Sequence, residues 1–245
     1  MKMDTVNQHP VVSGPSCPVC ADAGRLRVAA PPGDPSFGRS IPCLCRKALL
    51  AARRLQQRRQ AANLDDLRHC TFSTFNPCLP GVQEAFRVCA EFALHPHGWL
   101  LLLGPCGCGK THLAASLAHQ RLDSGAEVYF TGAPDLLDLL RSAMSTPARY
   151  TRLFEWVREV ELLVLDDLGA HASSAWSTEK FLQILDTRAN SALPTVVTAI
   201  PKEFQGLDER LRSRLSDLQL VTSVLFEKAR DYRPCKTPQG RSTRT

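Results

Sequence analysis

Trp99-Leu100-Leu101-Leu102-Leu103-Gly104-Pro105-Cys106-Gly107-Cys108-Gly109-Lys110-Thr111 is the stretch from which the fold can be read. The unbroken apolar run reads as a buried strand, the glycines that follow as a loop, and the Ala- and Leu-rich run from Lys110 as a helix. Gly104, Gly109, Lys110 and Thr111 fill the fixed positions of the phosphate-loop pattern, in the strand–loop–helix context that such a loop needs. Glycines let the backbone curl so that successive amides point at a β-phosphate, and the new helix adds its positive end. Lys110 is expected to reach the β- and γ-phosphates, and the Thr111 hydroxyl to take one Mg²⁺ position. The variable positions Pro105, Cys106, Gly107 and Cys108, and His112 just after the loop, are candidate nucleotide contacts. From Cys106 and Cys108 only backbone amides are expected.

A second element lies 56 residues beyond Lys110, where Leu162-Leu163-Val164-Leu165 runs into Asp166-Asp167. Two adjacent carboxylates at the end of an apolar strand are costly unless they serve a cation or a water. Asp166 is expected to hold Mg²⁺ through water, and Asp167 to orient or deprotonate the attacking water. Around these two strands the apolar pattern alternates between helical and strand periods. Helices are expected over residues 82–94, 110–122, 134–144, 148–159, 178–190 and 208–215, and strands over 99–103, 127–131, 162–165, 195–199 and 218–221. That pattern predicts an α/β fold with a parallel five-stranded sheet covered by helices.

The flanks differ from this body. Residues 46–62 hold six basic groups and no acid, and residues 228–245 hold six basic groups and one acid, within a chain of net charge +6. The basic flanks suit a nucleic acid or an acidic partner, or are simply solvated faces. Residues 48–67 read as a helix and 71–80, with Asn76-Pro77 and Pro80-Gly81, as a linker. Nearer the start, Cys17-Pro-Val-Cys20 and Cys43-Leu-Cys45 are separated by 22 residues rich in glycine and proline. Four thiolates at this spacing suit a tetrahedral structural Zn²⁺, with an iron–sulfur cluster or independent thiols as alternatives. With 44% hydrophobic and 22% charged residues the chain is globular in composition. It has no apolar run of membrane length and no signal-peptide pattern near Met1, so a cytoplasmic protein without a membrane role is expected.

The motifs together resemble the AAA+ ATPases of the bacterial helicase-loader group, DnaC and DnaI, and their IstB-like transposition relatives. The resemblance rests on 109–114, Ala133-Pro134-Asp135-Leu136-Leu137, 163–169, Pro194-Thr195-Val196-Val197-Thr198 and Glu209-Arg210-Leu211-Arg212-Ser213-Arg214-Leu215, and it covers about residues 69–234. It implies an ATP site shared between subunits, with Arg214 as the arginine supplied to a neighbour and Arg210 as its companion. The polar sensor role falls to Thr198 or is lost, because Ile200 stands where the group usually has asparagine. Arg233, in Arg230-Asp231-Tyr232-Arg233, is placed near the phosphates in cis. The group also implies an AAA+ domain without a C-terminal lid. The expected organisation is a zinc-binding module at 1–46, a basic helix and linker at 47–81, the ATPase domain at 82–234 and a basic tail at 235–245. The expected function is a Mg²⁺-dependent ATPase that self-associates and loads a hexameric replicative helicase onto single-stranded DNA. A regulator of DNA transposition and a nucleotide-binding adaptor with little turnover are the alternatives. Some loaders similar to DnaI carry an amino-terminal zinc module, which favours the first reading.

Overall fold

The structure is a computed structural model that describes residues 17–170 and 174–232. Chain contacts divide it into two compact units, residues 1–56 and 57–245, with the division inside the first helix.

In the first unit, strands β1 (Arg25–Arg27) and β2 (Ser40–Pro42) form an antiparallel pair in the register Leu26↔Ile41. Helix α1 (Leu44–Ala61) follows and has no buried residue. Among the described residues of this unit, only Cys17, Gly24 and Cys43 are buried. Val19, Phe37, Ile41, Leu44, Leu49 and Leu50 are all exposed, so the described residues of the unit form no apolar core of their own. The 22-residue insert read as loop thus contains a short hairpin.

The second unit is built on β3 (Trp99–Leu103), β4 (Val128–Gly132), β5 (Leu162–Asp166), β6 (Thr195–Ala199) and β7 (Val221–Leu225). They form one five-stranded sheet in the order β4-β5-β6-β3-β7, with every pairing parallel. β5 and β6 are buried at all five positions, as expected for strands covered on both faces. The covering helices are α2 (Gln83–Leu94), α3 (Lys110–Asp123), α4 (Ala133–Ala143), α5 (Pro147–Glu159), α6 (Ala175–Asn190), α7 (Pro201–Gln205) and α8 (Glu209–Leu215). Small residues on α3, Ala114, Ala115 and Ala118, are fully buried and let that helix lie close on the sheet. β3 sits between β6 and β7, so the chain leaves its carboxyl end at a topological switch point, where α/β sheets open a crevice. No described helix is long and apolar enough to cross a membrane.

Four elements depart from the sequence reading. The helix read at 48–67 ends at Ala61, because Asn63 takes a left-handed conformation (φ 56°) and donates its side-chain amide to the Phe130 carbonyl. The last strand is Val221–Leu225 rather than 218–221. Asp217 accepts from the Gln219 and Leu220 amides and turns the chain there, and the edge strand that follows buries only Val221 and Val224. α6 starts at Ala175, earlier than 178, because Ser174 and Ser177 form a capping box. The short α7 was absent from the reading, being shorter than the helical period can reveal.

Arg188, on α6, is fully buried without a carboxylate partner, and burial pushes its pKa down. Its guanidinium instead donates to the Thr195 hydroxyl and to the carbonyls of Val157, Arg158, Val160 and Pro194, over 2.6–3.4 Å. It therefore ties the ends of α5 and α6 to the start of β6. Arg188→Ala is expected to cost about 3 kcal/mol, because it strands several buried acceptors and opens a cavity. Urea unfolding followed by circular dichroism measures the loss, and an unchanged midpoint would contradict this account.

Candidate functional site

The site forms at the carboxyl ends of β3, β5 and β6. The loop after β3 has Gly107 and Gly109 at φ 70° and 102°, in the left-handed region that favours glycine. Neither has room for a side chain: a Cβ on Gly107 would collide with the Asp231 carboxylate, and one on Gly109 would lie 2.8 Å from the Phe75 ring. Lys110 is buried, and its ammonium donates to the carbonyls of Gly104 and Pro105, both at 2.9 Å. This holds a cation at the mouth of the loop. Cys108 is buried and Cys106 is exposed. For Cys108, burial pushes the thiol pKa up.

Asp166 ends β5 and is 8% exposed. Burial pushes its carboxyl above the ordinary range, against the opposing pull of its hydrogen bonds. Thr198, on β6, donates its hydroxyl to Asp166 Oδ1 at 2.6 Å and accepts from the Asp167 amide at 2.9 Å. Thr111 donates to both Asp166 oxygens, at 2.9 and 3.1 Å. One buried carboxylate thus joins the phosphate-loop helix to two strands. A hydroxyl and a buried carboxylate in contact, beside the exposed Asp167, are oxygen donors of the kind Mg²⁺ takes, and the residues fit that ion. Asp167 itself has φ 52°, a conformation uncommon for a residue with a Cβ.

A cavity of about 860 Å³ opens over the loop, lined from Cys106 to His112 and by Asp167, Ala170, Ile200, Glu203 and Tyr232. Its other wall comes from the 69–80 segment, with His69, Cys70, Thr74, Phe75, Asn76 and Leu79. Phe75 stacks on Phe86 of α2 and meets the His112 ring edge-on, at centroid distances of 5.8 and 5.2 Å. His112 Nε2 is within hydrogen-bond distance of the Thr71 carbonyl and the Thr74 hydroxyl. The stretch read as a linker is therefore pinned to the start of α3. Tyr232 completes the enclosure, its amide donating to the Gly107 carbonyl and its hydroxyl to the Pro80 carbonyl. Sequence reasoning missed Phe75, Glu203, Asp231 and Tyr232 as site residues. The aromatic spacing Phe72, Phe75 and Phe86 was the available signal for the first.

Arg214 and Arg210 are not in this cavity. They lie on α8 beside a separate concavity with Asp186 and Asp217, where Arg214 donates to Asp186 at 2.6 Å and Arg210 pairs with Asp208. Arg233 falls outside the described residues.

In the first unit the four cysteine sulfurs lie within 4.8 Å of one another, with Cys17–Cys43 at 3.8 Å and Cys20–Cys45 at 3.4 Å, and none is in a disulfide. A tetrahedral Zn²⁺ with bonds of about 2.3 Å needs sulfurs about 3.8 Å apart, so the cluster fits that ion. Hydrogen bonds from the Cys20 and Val19 amides pull the Cys17 thiol down to about 7. The competing Cys20 thiol, then burial, push Cys45 up to about 12. Without a cation the set cannot ionise together, and a metal removes that conflict.

A parallel sheet of this order, with a phosphate loop at its switch point after β3 and paired carboxylates at the end of β5, on the far side of β6, is the P-loop fold of the AAA+ type. Residues 47–225 match the family described as IstB-like ATP binding protein, and the chain belongs to that family. The ATP-binding protein of insertion sequence IS1162 from Pseudomonas fluorescens is 33% identical over 102 residues, 42% of this chain and 44% of that protein. An ATP-binding protein in an insertion sequence of Mycobacterium tuberculosis is 28% identical over 176 residues, 69% of this chain and 68% of its own length. Among solved structures, the DnaC helicase loader matches with a TM-score of 0.59 and 22% identity, over 66% of this chain and 98% of that one. DnaI matches with a TM-score of 0.55 and 24% identity, over 63% and 89%. At these identities the structural likeness shows the fold.

The four-cysteine cluster is expected to bind one zinc per chain. A chelator should then unfold residues 17–46, which have no apolar core, while the sheet of the second unit stays folded. Elemental analysis and limited proteolysis check this, and metal-free protein from a reducing purification would contradict it.

Proposed function

We propose that this protein is a Mg²⁺-dependent ATPase that serves as the ATP-controlled switch of DNA transposition, assembling on DNA and recruiting its partner only in the triphosphate state. The observation that carries the reading is the Thr111–Asp166–Thr198 network beneath the cavity. In this reading the loop amides and Lys110 bind the phosphates, and Thr111 and Asp166 hold Mg²⁺, which supplies charge neutralisation on the phosphates. Asp167 accepts a proton from the attacking water, and Thr198 fixes both carboxylates, through one side chain and one backbone amide. The family match and the insertion-sequence relatives favour transposition as the setting.

Helicase loading is the second reading. It is favoured by the cysteine cluster and its exposed apolar residues, which suit a protein-docking module, and by the fold shared with DnaC and DnaI. In either setting the basic helix α1, with Arg46, Lys47, Arg53, Arg54, Arg58 and Arg59, is the segment offered to DNA or to an acidic partner surface. The zinc module at 1–46 and the ATPase domain at 82–234 remain the domain assignment proposed here. Filaments on duplex DNA support the transposition reading, whereas capture of a replicative helicase and stimulation by single-stranded DNA support the loader.

Arg214 acts in trans in this proposal. Its pairing with Asp186 holds the guanidinium at the surface, where a neighbour's γ-phosphate can replace the carboxylate. Lys110→Ala should lose ATP binding by about a hundredfold, while Asp167→Asn should retain binding and lose turnover by about the same factor. Mixing Lys110→Ala with Arg214→Ala protein should restore part of the turnover that each lacks, because one mixed interface keeps an intact loop facing an intact arginine. Nucleotide binding and phosphate release measure these outcomes. Normal ATP affinity in Lys110→Ala would remove the assignment of the loop, and full turnover in Arg214→Ala alone would remove the assignment of the arginine.

A further inference from the structure

The wall of the cavity beyond Asp167 is chemically uneven. β6 ends in Ala199 and is followed by Ile200, and neither side chain can hydrogen-bond a water. One helical turn later, on α7, Glu203 joins Asp167, Ala170 and Ile200 in lining the same space. Its Oε2 is buried and has no hydrogen-bond partner among the described residues. A buried carboxylate oxygen left unpaired is costly, and the cost persists where the group serves a ligand.

The position of Glu203 is built rather than incidental. Phe204, the next residue, is buried and returns its amide to the Ile200 carbonyl, which fixes α7 against the end of β6. Gly169 has φ 100°, and a Cβ there would lie 3.0 Å from Glu203 Cβ and 3.1 Å from its carbonyl oxygen. The turn after Asp167 therefore packs directly onto the residue that carries the orphan oxygen. Leu168 ties that turn back to the Thr198 carbonyl at 2.8 Å. Asp167 and Glu203 are thus held on two backbone segments braced against each other, with the apolar Ile200 beside them.

We propose that Glu203 is a second water-positioning residue of the nucleotide site, supplying from α7 the hydrogen-bond acceptor that Ile200 cannot supply from just beyond β6. The inference rests on the ATPase reading above. The attacking water donates one hydrogen bond to Glu203 and its other proton to Asp167. As its oxygen bonds to the γ-phosphorus, the proton passes to Asp167 and the γ-phosphorus–bridging-oxygen bond breaks. The electron pair of that bond stays on the ADP oxygen, so the products are ADP and inorganic phosphate. Glu203 exchanges no proton in this step and sets only where the water sits. Its removal should therefore appear in kcat and leave nucleotide affinity alone.

The test uses the full chain under conditions in which the wild type turns over ATP. Glu203→Ala, which removes the acceptor, should lower kcat about tenfold or more while KM and the ATP dissociation constant stay within about twofold. Adding Ile200→Asn to Glu203→Ala should recover at least about a third of the lost rate, because an acceptor returns to the same wall from the neighbouring position. A merely structural carboxylate would not be rescued in this way. Glu203→Asp, which moves the carboxylate back by one methylene, should fall between wild type and Ala, and thermal unfolding of each variant separates misfolding from a rate effect. Full turnover in Glu203→Ala, parallel loss of affinity and rate, or no rescue by Ile200→Asn would each overturn the proposal while the ATPase reading stands. A wild type that binds ATP but never hydrolyses it would bring down both.

Discussion

The second unit depends on one buried carboxylate. Asp166 is desolvated at the end of the buried strand β5, and its ionised form is tolerable only because Thr111 and Thr198 both donate to it. Those two hydroxyls come from the first turn of α3 and from β6, so the electrostatic need of one side chain sets the relative position of three elements. The peptide after Asp166 is drawn into the same arrangement, since the Asp167 amide donates to the Thr198 hydroxyl. The positive φ of Asp167 follows from that anchoring, and it turns the second carboxylate outward to the cavity. Arrangements of this kind have a reason to persist: the unfavourable burial is offset fully only when a cation arrives.

The cavity above the network is closed by segments remote in sequence from the phosphate loop. The 69–80 segment and the 226–232 segment meet through Tyr232 and Pro80, and both touch glycines of the loop. This adds to the backbone angles of Gly107 and Gly109 a second cost of a side chain there: it would have to displace Asp231 or Phe75. It also means that nucleotide occupancy and the placement of both segments are linked by direct packing.

Much of this was legible in the sequence because its cause was local. A phosphate loop is a run of eight residues, a buried strand is a run of five apolar ones, and the Asp166-Asp167 pair announces itself by standing at the end of such a run. The cysteine set was legible for the same reason, its spacing bringing four sulfurs within 4.8 Å. What stayed hidden depends on contacts across the fold. Phe75 and Tyr232 become site residues only when the sheet brings residues 69–80 and 226–232 over the loop. Glu203 sits on a helix of five residues, too short to leave a period. The edge strand β7 was misplaced because its pairing with β3, rather than its own apolar content, makes it a strand.

Cys106 carries a practical consequence. It is an exposed thiol on the phosphate loop, whereas Cys89 and Cys108 are buried. A maleimide or iodoacetamide reagent will therefore find Cys106 readily, together with the exposed Cys78, and a bound triphosphate will shield it. Followed by mass spectrometry, alkylation at this one position turns the loop into its own occupancy gauge, with no fluorophore and no labelled nucleotide.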